Sequence, residues 1–357
     1  MCRYFLVLLI LAACSNEKPQ LKVQTENNVP LCHQLPGRFS SSEMIMLNSR
    51  QYLMGTNSTE SYASERPAHP VKVNTFWIDK TEVTNFEFQK FVTNTGYKTV
   101  AERKPSWEEL KKQLPPDAVK PDTSLLVPAS LVFSPPQGDV DLSTMTWWKW
   151  VPGASWKTPT GPGSSIEKLL NHPVTHVALE DAKAFCSWIK KRLPTEAEWE
   201  LAARGGLENK TYSWGDDLRP AGKFMANTFQ GKFPKNNSNL DGFLTTSPVM
   251  SFPANGYGIF DMIGNVWEWT SDYYDVRYFE KFKNKIVAMN PKGPGKVNDP
   301  TEPNAIKHVI KGGSYLCSDD YCVNYRPSAR LGAAYDSGTS HIGFRCVKDK
   351  VDATVSR

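Results

Sequence analysis

Short apolar runs separated by turn residues predict a chain of brief strands interrupted by a few helices. MIMLNSRQYLMG (residues 44–55) and VKVNTFWID (residues 71–79) are typical of such strands. Two further segments, VTNFEFQKFV and LPTEAEWELAAR, carry Thr-x-x-Glu capping boxes beginning at Thr84 and Thr195, which predicts a helix at each. With 26 prolines and 23 glycines and no internal repeat, we expect one loop-rich α+β domain over residues 44–350.

A third helix is predicted between these two, in ALEDAKAFCSWIKKR. Its apolar residues recur at helical spacing and include Ala182, Phe185, Cys186 and Ile189. Cys186 therefore faces the predicted core, which favours a structural role for this cysteine over a catalytic one.

Residues 113–165 are rich in proline, glycine and tryptophan. Trp147, Trp148, Trp150 and Trp156 lie close together in this stretch. We interpret it as an irregular segment held to the core by its aromatic side chains, with a peptide-binding wall as the alternative.

The N-terminus has the pattern of an export signal. Arg3 is followed by a short apolar run and by Leu-Ala-Ala-Cys, which matches the bacterial lipobox. The run is shorter than the roughly 20 residues that span a bilayer. We expect residues 1–13 to be a signal peptide, Cys14 to be lipidated, and residues 14–43, with Cys32, to form a flexible tether. An ordinary signal peptide cleaved elsewhere is the alternative.

This interpretation places the protein in the periplasm, attached to a membrane through its lipid alone, and Ser15 favours the outer membrane. The formal net charge of +5 becomes +4 once Arg3 is removed. No basic cluster is present, so no nucleic acid partner is expected. Export also favours disulfides over free thiols.

Two clusters of oxygen-bearing side chains lie in turn-rich segments. Asn227 and Asp241 flank one polar loop, and Asp261 and Glu268 flank Gly-Asn-Val. Carboxylates and amides interleaved with turn residues suit calcium, because backbone carbonyls can complete its six to eight oxygen ligands. The alternative is that these are solvated or capping turn residues, and no EF-hand pattern is present.

The segment KGGSYLCSDDYCVNYRPSAR (residues 311–330) contains Cys317 and Cys322. A five-residue offset puts two side chains on different faces of either a helix or a strand, so the sulfurs meet only if the backbone bends. Three chemistries stay open at this point: a local disulfide, a zinc site completed by Cys346 and His341, and a two-thiolate site for Cu(I).

The same segment, with HIGFRCV after it and RLPTEAEWELAARGG, NGYGIFDMIGNVWEWTSD and NPKGP before it, resembles the formylglycine-generating enzymes from Met44 to Val347. RLPTEAEWE and GNVWEWTSD mark a wider superfamily, whereas GGSYxCxxxxC resembles its copper-binding, catalytic members. The resemblance implies a fold with little regular structure that is related to C-type lectins.

The resemblance also implies roles for individual residues. The Cu(I) ligands would be Cys317 and Cys322, with Ser314 as the active-site serine. The substrate groove would contain Trp267, Arg330, Tyr321 and His341. One calcium would be bound by Asn227 and Asp241 with the carbonyls of Thr228 and Phe243, and a second by Asp261 and Glu268 with the carbonyls of Gly264 and Val266. Cys186 and Cys346 would form the family's disulfide.

The implied activity is an O2-dependent, copper-dependent oxidation of a cysteine in a C-x-P-x-R motif of unfolded sulfatases to Cα-formylglycine, by a monomer. Ala203 and Pro327 stand where the animal enzymes have a second disulfide, and His341 and Ser318 replace an asparagine and a histidine. Periplasmic oxidation of Cys317 and Cys322 would prevent copper binding. The alternative function is a non-catalytic lipoprotein in adhesion, gliding or secretion, while an iron-dependent sulfoxide synthase would need a further helical domain.

Overall fold

Regular structure is sparse in the computed structural model, which describes residues 43–138, 140–283 and 286–350. Its helices are α1 (Asn85–Thr95), α2 (Trp107–Leu110), α3 (Leu179–Trp188) and α4 (Glu196–Ala203). Its strands are β1 (Met44–Leu47), β2 (Arg50–Met54), β3 (His69–Val73), β4 (Phe76–Asp79), β5 (Ala129–Phe133), β6 (Trp148–Pro152), β7 (Gly231–Lys232), β8 (Asn236–Asn237), β9 (Trp267–Tyr273), β10 (Ala288–Met289), β11 (Lys307–Lys311), β12 (Leu331–Ala334), β13 (Ile342–Gly343) and β14 (Val347–Asp349). The loop-rich α+β domain is therefore confirmed.

The predicted capping boxes begin two of the helices. Thr84 accepts a hydrogen bond from the backbone N–H of Glu87 (3.3 Å), whose carboxylate accepts from the N–H of Thr84 (2.9 Å). Thr195 and Glu198 make the same reciprocal pair at 3.1 and 2.8 Å. Each box satisfies N–H groups that the first helical turn leaves without partners.

The strands form small separate sheets. β4 lies between β1 and β14, β3 lies between β10 and β2, and the longest sheet has the order β12-β11-β9-β13. The pairs β5–β6 and β7–β8 are two-stranded hairpins. In the longest sheet, β9 is antiparallel to β11 and parallel to β13.

A disulfide joins α3 to the residue before β14. Cys186 and Cys346 are bonded, with Cα atoms 6.0 Å apart and a sequence separation of 160. Cys186 is buried among apolar side chains, as its helical spacing predicts. Ile189, the last residue of that predicted pattern, follows the end of α3 and is only partly buried.

The proline-rich segment contains the β5–β6 hairpin. Trp147 and Trp156 are buried in the core, whereas Trp150 remains 49% exposed. Its interpretation as an irregular segment held by aromatics therefore fits the buried pair but not Trp150. The predicted signal peptide, Cys14 and Cys32 lie outside the described residues, within which no helix is long and apolar enough to cross a bilayer.

Candidate active site

The thiol segment begins where β11 ends in a tight turn. Gly312 and Gly313 have φ angles of 96° and 74°, which side-chain-bearing residues rarely adopt. A Cβ on Gly313 would lie 3.0 Å from the backbone nitrogen of Tyr325. The turn thus lets the start of the loop pack closely against the segment that leaves it.

The two cysteines of this loop meet as free thiols. Their sulfurs are 3.1 Å apart, with Cys317 buried and Cys322 partly exposed. The N–H of Cys322 donates to the carbonyl of Ser318 at 3.0 Å, which closes one turn and supplies the bend that the spacing requires. Ser314 is buried beside them, and its carbonyl accepts from the N–H of Cys317 at 2.9 Å.

The surroundings make the two thiols unequal. Burial raises the pKa of Cys317 well above its usual value, and the neighbouring Cys322 raises it further. The pKa of Cys322 is lowered, first by the hydrogen bond with Cys317 and then, against the opposing effect of burial, by Asn324 and Arg326. Asn324 donates its amide N–H to the sulfur of Cys322 at 3.1 Å. Cys322 is therefore the thiol that ionises first.

The zinc alternative is wrong, because Cys346 is consumed by the disulfide with Cys186. In the described part of the chain, no cluster of three or more histidine, cysteine, aspartate or glutamate side chains has an arrangement suited to a metal ion. The predicted copper and calcium sites are not of that kind, since each draws on two side chains only.

The first predicted calcium loop brings its four residues together. The carboxylate of Asp241 accepts the N–H groups of Thr228 and Phe243, each at 3.0 Å. Asn227 is buried, and its Oδ1 has no hydrogen-bond partner among the described residues. A buried acceptor without a donor is costly unless a cation or water satisfies it. Gln230, whose amide N–H also contacts Asp241 at 2.7 Å, was missed by the sequence analysis.

A third carboxylate, which the sequence analysis missed, lies beside the second predicted calcium loop. Glu82, Asp261 and Glu268 are all buried around Arg345, which pairs with Glu268 at 2.7 Å and lies 3.8 Å from Glu82. Burial, reinforced by Asp261, raises the pKa of Glu82, and burial raises the pKa of Asp261 to about 6. Three buried carboxylates around one guanidinium leave a surplus of acidic groups, although the set does not have the arrangement of a metal-binding cluster.

Asn265 connects both of these loops to the thiol loop. Its N–H donates to the carbonyl of Asn227 (2.9 Å), and its carbonyl accepts from the N–H of Tyr315 (2.9 Å). Its side-chain amide donates to Glu82 (3.0 Å) and accepts from the N–H of Ser247 (2.9 Å). A single buried residue thus joins these three segments through hydrogen bonds.

A group of aromatic side chains lies beside the thiol loop and includes Tyr321, the residue before Cys322. Tyr321 stacks on Phe233 with ring centroids 4.6 Å apart and meets Trp147 edge-on at 5.6 Å. Trp148 lies 4.6 Å from the ring of His341. Burial lowers the pKa of His341 to about 3, so its imidazole is neutral at ordinary pH.

Trp267 and Arg330 lie in the interior, in contrast to their expected place at a substrate groove. These residues are 2% and 1% exposed. Arg330 makes two hydrogen bonds to Glu196, at 2.6 and 2.9 Å, and packs 4.5 Å from the ring of Phe279. Because the guanidinium is already paired and enclosed, it offers no surface to a substrate.

The protein is therefore a single α+β domain whose candidate active site is a pair of thiols on one loop. The model of the sulfatase-modifying factor enzyme 1-like domain matches residues 32–350, and the chain belongs to this family. It is 45% identical over 312 residues to the formylglycine-generating enzyme of Mycobacterium tuberculosis, covering 87% of this chain and 99% of that protein. The solved structure of PvdO from Pseudomonas aeruginosa, at 21% identity, has a TM-score of 0.56 and covers 87% of this chain and 97% of that one, which supports the fold alone.

The relatives are not all active. The chain is also 36% identical over 313 residues to the inactive C-alpha-formylglycine-generating enzyme 2 of Mus musculus, covering 87% of each protein. Family membership alone therefore does not decide the chemistry, and activity has to be judged from the thiol site.

Proposed function

We propose that the protein is a copper-dependent oxidase that converts the cysteine of a C-x-P-x-R motif in unfolded sulfatases to Cα-formylglycine. The observation that carries this proposal is the pair of reduced sulfurs 3.1 Å apart. They take no part in the structural disulfide, which uses Cys186 and Cys346. The name of the M. tuberculosis relative supports formylglycine formation.

The residues present suit Cu(I). Two soft sulfur donors converge, and sulfur ligands select this ion over hard cations. Bound copper would supply one-electron chemistry and activation of O2. Asn324 orients the sulfur of Cys322 through its hydrogen bond, and the turn at Ser314 fixes the backbone of Cys317. Because Cys322 is the partly exposed member of the pair, the client thiol approaches from its side.

The overall reaction balances with an external thiol as reductant. The client CH2–SH group becomes CHO and its sulfur leaves as hydrogen sulfide. One oxygen atom of O2 enters the aldehyde and the other becomes water, while two reductant thiols form a disulfide. Aromatic faces at Tyr321 and Trp148 suit the proline of the client motif, because flat rings pack well against a proline ring.

We also propose two structural Ca2+ ions. Asn227 and Asp241 would hold one, with the carbonyls of Thr228 and Phe243. Asp261 and Glu268 would hold the other, with the carbonyls of Gly264 and Val266. The unpartnered Oδ1 of Asn227 and the surplus of carboxylates around Arg345 support these sites. Calcium would then stabilise the folded state where regular structure is sparse.

The cellular setting is part of the same proposal. The sequence pattern supports export, lipidation at Cys14 and attachment to the outer membrane, with the folded domain acting as a monomer in the periplasm. A sulfatase that crosses the inner membrane unfolded would present its motif there.

The test is to incubate the purified protein with Cu(I), O2, a thiol reductant and a C-x-P-x-R peptide, and to detect the aldehyde by mass spectrometry. We expect conversion by the native protein and none by Cys317→Ser or Cys322→Ser. Cys32→Ser is the matched control, since Cys32 lies in the predicted tether and should not affect turnover. Peptide left unconverted by the copper-loaded protein would refute the proposal and favour the non-catalytic lipoprotein.

A further inference from the structure

The β5–β6 hairpin ends in an edge strand close to the thiol loop. On its outer side, β5 is bridged to another segment, because Leu131 donates to the carbonyl of Gly338 (3.4 Å) and accepts from the N–H of Ser340 (2.9 Å). Among the described residues, β6 pairs with β5 alone. Its outer edge therefore presents backbone groups that an extended chain can pair with.

The hydrogen-bond ladder determines which residue of β6 turns its backbone outward. Ser134 donates to the carbonyl of Trp147 (2.8 Å) at one end, and Gly153 donates to the carbonyl of Pro128 (2.9 Å) at the other. Antiparallel pairs alternate between hydrogen-bonded and non-hydrogen-bonded. Counted inward from either end of the register, Trp150 falls in a non-hydrogen-bonded pair. Its N–H and C=O thus point away from β5.

The residue opposite Trp150 gives an independent check. Leu131 occupies that position, and its own backbone bonds go to Gly338 and Ser340 on the far side of β5. Both members of the pair therefore turn their polar backbone groups away from each other, as the alternation requires.

The side chains of β6 connect this edge to the thiol loop. Trp148 and Trp150 share one face because they are two positions apart. Trp148 contacts His341 at 4.6 Å, and the adjoining Trp147 contacts Tyr321 at 5.6 Å. Tyr321 immediately precedes Cys322 in the sequence. The start of β6 is therefore linked, through Trp147 and Tyr321, to the thiol loop.

We propose that an unfolded client polypeptide adds to the free edge of β6 as an extra strand, paired through the N–H and C=O of Trp150. This inference rests on the proposed function, because it places the client cysteine at the neighbouring thiols. Pairing through the backbone tolerates any client side chain, which suits an enzyme whose clients share only a short motif. The indole of Trp150, which is half-exposed, would pack against side chains of the added strand.

Strand addition makes a prediction about alternate positions of the client. We would use a C-x-P-x-R peptide whose cysteine is replaced by serine, so that binding is measured without turnover. Single N-methyl groups placed along its backbone each remove one N–H. Methylation of the position opposite Trp150 should lower affinity by about 3- to 10-fold, the worth of one backbone hydrogen bond, and the positions on either side of it, whose N–H groups face away from β6, should lose little. A uniform response along the peptide overturns the inference.

The chain offers matched variants for the same measurement. Trp150→Ala removes the indole, whereas Trp150→Pro also removes the N–H, and proline is tolerated on an edge strand because β5 makes no use of that N–H. We expect Trp150→Pro to bind more weakly than Trp150→Ala, and Trp77→Ala to bind normally, since Trp77 is an exposed tryptophan on β4, which is paired on both sides. Equal binding by the two Trp150 variants overturns strand addition.

The two proposals fail in different ways. If the native protein neither binds nor converts any C-x-P-x-R peptide, both are overturned. If it converts the peptide but shows no alternation with N-methylation, only strand addition at β6 is overturned.

Discussion

A buried ion pair anchors the chain that leaves the thiol loop, and its removal is the sharpest test of how that loop is held. Glu65 is fully buried and accepts two hydrogen bonds from Arg326, both at 2.8 Å. Arg326 also donates to the carbonyl of Val323, the residue after Cys322, at 2.9 Å. The perturbation is Glu65→Gln, which keeps the shape of the side chain and removes its charge.

The expected cost follows from the burial of the pair. Breaking a buried ion pair by removing one partner costs about 3–5 kcal/mol, because the remaining charge stays buried without compensation. We expect about 3 kcal/mol for Glu65→Gln, since glutamine can still accept one hydrogen bond from Arg326. The exposed pair Arg277–Glu280, with side chains 69% and 40% exposed, is the control. There, Glu280→Gln should cost less than about 1 kcal/mol.

The assay is chemical denaturation of the native protein and the two variants, compared as free energies of unfolding. The double variant Glu65→Gln/Arg326→Met should recover part of the loss, because it leaves no unpaired charge in the interior. Arg326→Met alone is measured in the same way. If Glu65→Gln lowers the free energy of unfolding no more than Glu280→Gln does, the pair does not anchor the loop. The same conclusion follows if the loss in the double variant exceeds the sum of the losses in Glu65→Gln and Arg326→Met.

Three further predictions concern covalent, metal-linked and pH-linked stability. Replacing Cys186 and Cys346 by serine should lower the free energy of unfolding by up to about 4–5 kcal/mol in denaturation without reductant, because the bond closes a loop of 160 positions; equal stability of variant and native protein would contradict this. Chelation should lower the calorimetric midpoint of the native protein and have a smaller effect on Asn227→Ala, and identical shifts would refute a cation at Asn227. Burial, aided by Glu196, raises the pKa of Asp272 from 3.8 to about 7. The stability that protonated Asp272 contributes is complete below pH 3.8 and is lost as pH rises through about 7. Asp272→Asn should therefore weaken the dependence of the free energy of unfolding on pH across that range. An unchanged dependence on pH would refute the assignment.

Local sequence predicted the elements that are determined locally. The capping boxes at Thr84 and Thr195 begin α1 and α4 because donor and acceptor lie three residues apart. Helical spacing likewise placed Cys186 in the core. The bend between Cys317 and Cys322 could be inferred as a requirement, but its geometry depends on Gly313, whose fit against Tyr325 is set by the fold.

Long-range pairing accounts for what the sequence did not predict. Glu82 and Asn265 are hydrogen-bonded across 183 positions, and nothing near either residue indicates the other. Arg330 was expected at a groove, but Glu196, 134 positions away, holds it in the interior. Trp267 begins β9, whose first four residues are all buried. The motif GNVWEWTSD indicated the family correctly, but it did not predict that the start of this strand is buried.

The position of β4 between β1 and β14 has a consequence for the timing of folding during synthesis. β1 and β4 are made early, but the second edge of β4 waits for Val347–Asp349, and Cys186 waits for Cys346 next to that strand. A nascent chain that has not reached these residues therefore carries an open sheet edge and an unpaired thiol. Completion of the sheet and oxidation of the cysteine become late, coincident events. A chain that stops short of Cys346 therefore keeps the thiol of Cys186 in addition to the pair at Cys317 and Cys322.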